Sequence, residues 1–174
     1  MNKNTFLTSL LLPDKMDSFV KKLGQGISWV YMVLIIVIIT QVILRRGLSS
    51  GFIALEELQW HLYAIGVLFG LSYAQASDSH VRVDVFKNIF SKKIKHIIEI
   101  TGICLLLLPF LYVVFYHSLD FVYESYRMAE RSNAPSGLPF RWLIKTAIPF
   151  SIGLLAITSL SRLLREIILL IRGE

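Results

Sequence analysis

The chain has 174 residues and a net charge of +6, with 55% hydrophobic and 17% charged residues and a mean hydropathy of +0.62. A water-soluble domain carries about 25% charged residues, and here the charges are clustered so that long stretches have none. This excludes an ordinary soluble domain, leaves no length for one beside the apolar runs, and predicts an all-α integral membrane protein forming one membrane domain over 1–174.

The first apolar run, 23–44, lies between Lys22 and Arg45. Its length matches the roughly 20 residues that cross the hydrocarbon of a bilayer. It is longer than the apolar region of a signal peptide, and Arg45-Arg46 follows it rather than a small-x-small site, so it is expected to stay as an anchor. Between Arg45 and Glu57 the apolar patch Phe52-Ile53-Ala54-Leu55 suits a short surface helix.

The second run, 58–77, lies between Glu57 and Asp78. After it the cluster His80-Val81-Arg82-Val83-Asp84 alternates polar and apolar residues. Two readings fit that cluster. It is a solvated connection marking the membrane edge, or a fixed corner in which Arg82 and Asp84 are paired. From Val85 the residues Phe86, Ile89, Phe90, Ile94, Ile97 and Ile98 recur at helical spacing, with Lys87, Lys92 and Lys95 on the other side. That pattern predicts an amphipathic interfacial helix over about 85–98.

The third run is 100–119. Beyond it Glu124 and Arg127 keep helical spacing, and 133–139 has turn composition, with Pro139 suited to the first turn of the next helix. The last run, 146–161, is short. It reaches spanning length, about 142–161, if it begins nearer Phe140 and Arg162 snorkels to the headgroups; the alternative is a buried re-entrant helix.

Four spans with the N-terminus inside place twelve of the basic residues in cytoplasmic segments and six in outer ones. That asymmetry predicts both termini in the cytoplasm. The basic residues then face the anionic inner leaflet, and the net charge needs no nucleic acid.

Polar groups at depth are Ser, Thr and Gln, with no Asp, Glu, Lys or Arg inside any of the four runs. An ion-coupled carrier needs polar or ionisable groups there, so the chain reads as a scaffold rather than a transport path. Cys104 is a lone cysteine in an apolar run and reads as a packing residue. No nucleophile–base set, metal-ligand cluster or phosphate loop is present, so neither an enzyme nor a cofactor is expected. The competing constellation is His61 with His117, which the opposite directions of the second and third spans place at similar depth. Facing histidines could hold a haem, as in the membrane anchors of some respiratory enzymes; beside Trp60, Tyr63, Tyr112 and Tyr116 they equally suit an aromatic belt.

The stretch EELQWHLYAIGVLFGLSYAQASDSHVRVDVF, residues 56–86, resembles the hallmark region of the small membrane subunit of TRAP (tripartite ATP-independent periplasmic) transporters. SGLPFRWLIKTAIPF, residues 136–150, is similar to the start of that family's fourth span. The resemblance implies four spans in the bacterial inner membrane and a sodium-coupled system importing organic acids. It implies two protein partners, a large permease subunit and a periplasmic substrate-binding protein. On that reading Glu56, Glu57, Gln59 and Trp60 are candidates for contact with the large subunit. His80, Arg82 and Asp84 are structural candidates at the corner. Gly66 and Gly70, with Ala74, give the second span a small-residue face that suits either the partner or the bundle itself.

Overall fold

The computed structural model describes residues 3–47, 51–80 and 90–172. All regular structure among them is helical: α1 (Lys3–Gly47), α2 (Ile53–Ala76), α3 (Lys92–Gly102), a π-helical segment (Ile103–Leu107), α4 (Leu108–Arg127) and α5 (Arg141–Arg172). At 1.5 Å per residue α1 is roughly 65–70 Å long, about twice the hydrocarbon thickness. It carries Pro13, which is buried, without interruption. By length and composition, Leu11–Gly47 and Lys92–Arg127 are apolar enough to cross a membrane.

α1 and α2 form an antiparallel pair. Tyr31 lies over Gly66 and Tyr73 over Gly24, and a Cβ on Gly24 would stand 2.7 Å from the Tyr73 ring. A side chain at either glycine would push the helices apart. α5 packs against α1, α2, α3 and α4, whereas α2 and α4 do not touch each other among the described residues. The central helix is therefore α5.

The exterior is apolar, and small hydroxyl residues share the interior with apolar ones such as Val20, Leu111 and Ile152. Ser151, Thr158, Ser159 and Ser161 of α5 are buried, as are Ser72 of α2 and Ser118 of α4, while Phe110, Phe150 and Ile43 are exposed. A water-soluble bundle would do the reverse. Where lipid surrounds a bundle, small hydroxyl residues allow close helix approach and satisfy themselves locally. Ser72, Ser118 and Ser151 each donate to the carbonyl three residues back, at 2.9, 2.6 and 2.9 Å. Gln41 is an exception, buried on α1 with neither amide atom partnered among the described residues.

The π segment has a local cause. Pro109 has no N–H to donate and its ring crowds the carbonyl four residues back, so the ladder slips before it. The Leu108 N–H donates to the Ile103 carbonyl, five residues away.

Three features differ from the sequence reading. Residues 92–98 are not a separate surface helix; with no breaker between Ile97 and Gly102, α3 continues through the π segment into α4. Residues 85–89 lie outside the described residues. Phe52-Ile53-Ala54-Leu55 is no separate surface helix either, because α2 starts at Ile53 and runs through. Pro139 precedes the last helix instead of entering it, since Phe140 adopts a left-handed conformation (φ 61°) and α5 begins at Arg141.

Candidate functional site

Two helices end in the same way and each delivers an acid to α5. At the end of α2, Asp78 is left-handed (φ 54°), the Ser79 N–H donates to Ala74 O at 2.9 Å and the Asp78 N–H to Gln75 O at 3.2 Å. At the end of α4, Ala129 is left-handed (φ 45°), the Glu130 N–H donates to Ser125 O and the Ala129 N–H to Tyr126 O, both at 3.0 Å. These paired bonds close a helix and satisfy its last carbonyls. A non-glycine residue in that conformation is uncommon. Here it turns the chain so that Asp78 and Glu130 meet opposite ends of α5.

At one end Glu130 pairs with Lys145 and lies 3.8 Å from Arg141, and the Lys145 ammonium stands 3.8 Å from the Phe121 ring centroid. The Lys145 hydrogen bond, foremost, holds the Glu130 carboxyl below its ordinary range. Beside it Glu57, in the first turns of α2, closes the loop between α4 and α5. The Ser132 hydroxyl donates to Glu57 Oε1 and the Leu138 N–H donates to Oε2 at 2.6 Å. Ser132 Oγ also accepts the Ala134 N–H at 3.1 Å. These bonds, Ser132 first, hold Glu57 below the usual carboxylate range, with Arg141 adding to them. Gly137 is required here. A Cβ would strike Ser132 and stand 2.9 Å from Glu57 Oε2.

At the other end Arg162 reaches Asp78 at 2.7 Å and Glu99 of α3 at 2.5 Å. Burial disfavours its charge, and the Asp78 hydrogen bond with the Glu99 and Glu166 fields outweighs that. His96 Nδ1 of α3 lies 2.5 Å from Glu166 Oε2. Arg165 bridges Asp14 and Asp17 of α1 at 2.9 and 3.0 Å, and the Ser161 hydroxyl donates to Pro13 O at 3.0 Å. One stretch of α5, 161–166, thus ties together α1, the end of α2 and α3.

The expected site residues fall unevenly on this frame. Glu57 is the most heavily used. Glu56 is half-buried beside it in the first turn of α2. Gln59 and Trp60 line an apolar groove with Leu34, Ile38 and Tyr63, and Trp60 is 71% exposed. Gly66 packs inside the bundle, while the space beside Gly70 is open. His80 is exposed; Arg82 and Asp84, and the corner they would form, lie outside the described residues. His61 is half-buried on α2, and His117 is exposed on α4 with its ring edge against Tyr116. Among the residues the sequence reading passed over are Glu130, Ser132, Arg165, Glu166, Asp14 and Asp17, and Gly137 was read only as part of a turn. Only Arg165 and Glu166 carried a signal, a charged turn closing an apolar helix.

No group of three or more metal-ligating side chains occurs among the described residues. The arrangement can hold helices and one loop in place. Between its two ends α5 offers hydroxyls that mostly bond to their own helix.

No curated protein matches the chain significantly. A family model described as "Tripartite ATP-independent periplasmic transporters, DctQ component" matches residues 34–169. That match gives the haem-anchor alternative no support and covers α2 through most of α5, including Glu57, Ser132, Gly137 and Arg162. The chain belongs to the DctQ component family, the small membrane subunit of TRAP transporters.

Proposed function

We propose that this subunit transports nothing itself and serves as the membrane scaffold of a sodium-coupled TRAP system for organic acids. Its partners would be a large permease subunit and a periplasmic substrate-binding protein. The observation that carries the reading is where its charges lie: the ion pairs gather at the two ends of α5, and the buried polar groups elsewhere, hydroxyls and the Gln41 amide, are uncharged. A coupling ion and an organic anion would meet no compensating charge at depth.

In this reading α1, α2, α4 and α5 contain the four spans in one inner-membrane domain, with both termini cytoplasmic. Glu57, Glu130 and the 132–139 loop face the periplasm, and the Arg162 cluster faces the cytoplasm. The basic asymmetry of the sequence supports that orientation. Reporters fused after Ser136 should then read as periplasmic, and fusions after Lys92 or at the C-terminus as cytoplasmic. A cytoplasmic signal at Ser136 overturns the topology.

Glu56, Gln59 and Trp60 remain the proposed contact with the large subunit, because an exposed tryptophan beside an apolar groove suits packing between helices in lipid. Reconstitution tests the function. Proteoliposomes with a sodium gradient, the binding protein and this chain alone should show no uptake, and adding the large subunit should restore it. Uptake by this chain alone, or full uptake by the large subunit without it, contradicts the reading.

A further inference from the structure

Two pockets lie end to end along α1 toward the Arg162 end of the bundle. The first is a cavity of about 200 Å³ between α1 and α2. Gly24, Gly66 and Gly70 all line it. Gly24 and Gly66 are covered by Tyr73 and Tyr31, but no atom stands within 4 Å of where a Cβ on Gly70 would be. Its walls include Ile27 and Phe69. The Ser28 hydroxyl donates to Gln25 O at 2.7 Å, so its proton is already used. Such a space takes hydrocarbon in preference to water.

Gln25 also lines the second pocket, a polar cleft of about 460 Å³. Lys21, Lys22 and Arg165 meet Asp14 and Asp17 there. Arg165 bridges both acids, and no ion pair holds Lys21 or Lys22 among the described residues. The cleft therefore keeps a positive excess. Lys21, Gln25 and Ser28 follow one another at helical spacing, so the lysine stands about one turn from the mouth of the apolar cavity, on the same face.

A cleft with a net positive charge beside a mostly apolar cavity matches an amphiphile with an anionic head. We propose that the pair of pockets binds one anionic phospholipid, with its phosphate at Lys21 and Lys22 and part of one acyl chain in the α1–α2 cavity. Its placement in the inner leaflet, where anionic lipid attracts basic segments, rests on the topology proposed above. Binding in detergent does not depend on that topology, so the two claims fail separately.

The test is native mass spectrometry of the full chain in mild detergent, with phosphatidylglycerol, phosphatidylethanolamine of the same chains, or inorganic phosphate added. The wild type should retain one phosphatidylglycerol in preference to phosphatidylethanolamine, and phosphate should not displace it. Gly70→Leu fills the open space and should lower retention by about tenfold or more, the effect of unburying roughly two methylenes. Gly26→Leu makes the same change on α1 at another open position that does not line the cavity, and should retain the lipid. Lys21→Ala with Lys22→Ala should bring phosphatidylglycerol down to the phosphatidylethanolamine level. Undiminished retention by Gly70→Leu, no headgroup preference in the wild type, or displacement by phosphate alone would each overturn the site. So would loss of the lipid whenever the large subunit co-purifies, which would give the cavity to that subunit.

Discussion

The two ends of α5 use the same chemistry for different tasks. At its N-terminal end Arg141 and Lys145 meet Glu130, fifteen residues from Lys145, and Glu57 gathers a short loop onto α2. In its C-terminal half Arg162 and Arg165 reach partners 84, 148 and 151 residues away, just past the end of α2 and along α1. The first end shapes a loop and the second fixes helices relative to one another. Similar pairs of carboxylate and cation thus have effects set by what each partner is attached to. Loss of a tie at the second end should disturb the whole bundle, and loss at the first should disturb only the loop.

The largest effect is expected from Arg162→Ala. The side chain is 15% exposed, and its removal takes away the cation that both Asp78 and Glu99 reach. A hydrogen bond to a charged group contributes about 1.5–3 kcal/mol; partial exposure of Asp78 and Glu99 sets the lower part of that range. Thermal unfolding of the purified protein measures it, and a loss as small as that of an exposed pair would erase the distinction between the two ends.

Gly137→Ala and Glu57→Gln should act locally. The new methyl forces Ser132 or the Glu57 carboxylate aside, and the amide oxygen that Glu57→Gln introduces accepts more weakly than a carboxylate. Hydrogen exchange at the Leu138 amide should accelerate while the α5 amides stay protected. Uniform acceleration along α5 would show that the loop also holds the bundle.

Acid should separate the ends further. Glu57 and Glu130 both lie below their ordinary range, so what they add to the folded loop is present above the unfolded carboxylate value and is lost as pH falls through the lower folded one. A spin label at Ser136→Cys should become more mobile once pH drops below about 4. With Glu57→Gln part of that step should vanish; a step of unchanged size would leave Glu57 no part in it.

The smallest effect is expected at Arg127→Ala. Its pair with Glu124 at 3.2 Å is exposed on both sides, and such pairs contribute about 0.5 kcal/mol or less. Thermal unfolding of this variant should be nearly superimposable on that of the wild type.

Much of the frame was legible in the sequence because charges mark where apolar runs stop. Asp78, Glu99 and Arg162 were each read as edges of runs on one side of the membrane, and edges at one depth are where ion pairs can form. Glu57 was legible as the mouth of the second run. Its bonds to Ser132 and the Leu138 N–H were not, since they join residues 75 and 81 positions apart through a loop whose shape depends on Gly137. Pro139 was misplaced because its fixed φ suits a first helical turn, whereas the turn at Phe140 delays the helix. The continuity of α3 with α4 was missed because a lysine-rich amphipathic stretch has the same pattern whether it lies on a surface or leads into a span.

The central claim is that this subunit holds the transporter together and takes no part in the path of ion or substrate. Its most direct test is the sodium dependence of uptake, measured per intact complex, for the wild type and for Arg162→Ala and Glu57→Gln. The account predicts fewer intact complexes or slower uptake, with the half-saturating sodium concentration and the number of sodium ions per turnover unchanged. A shifted sodium dependence in a fully assembled variant would contradict it.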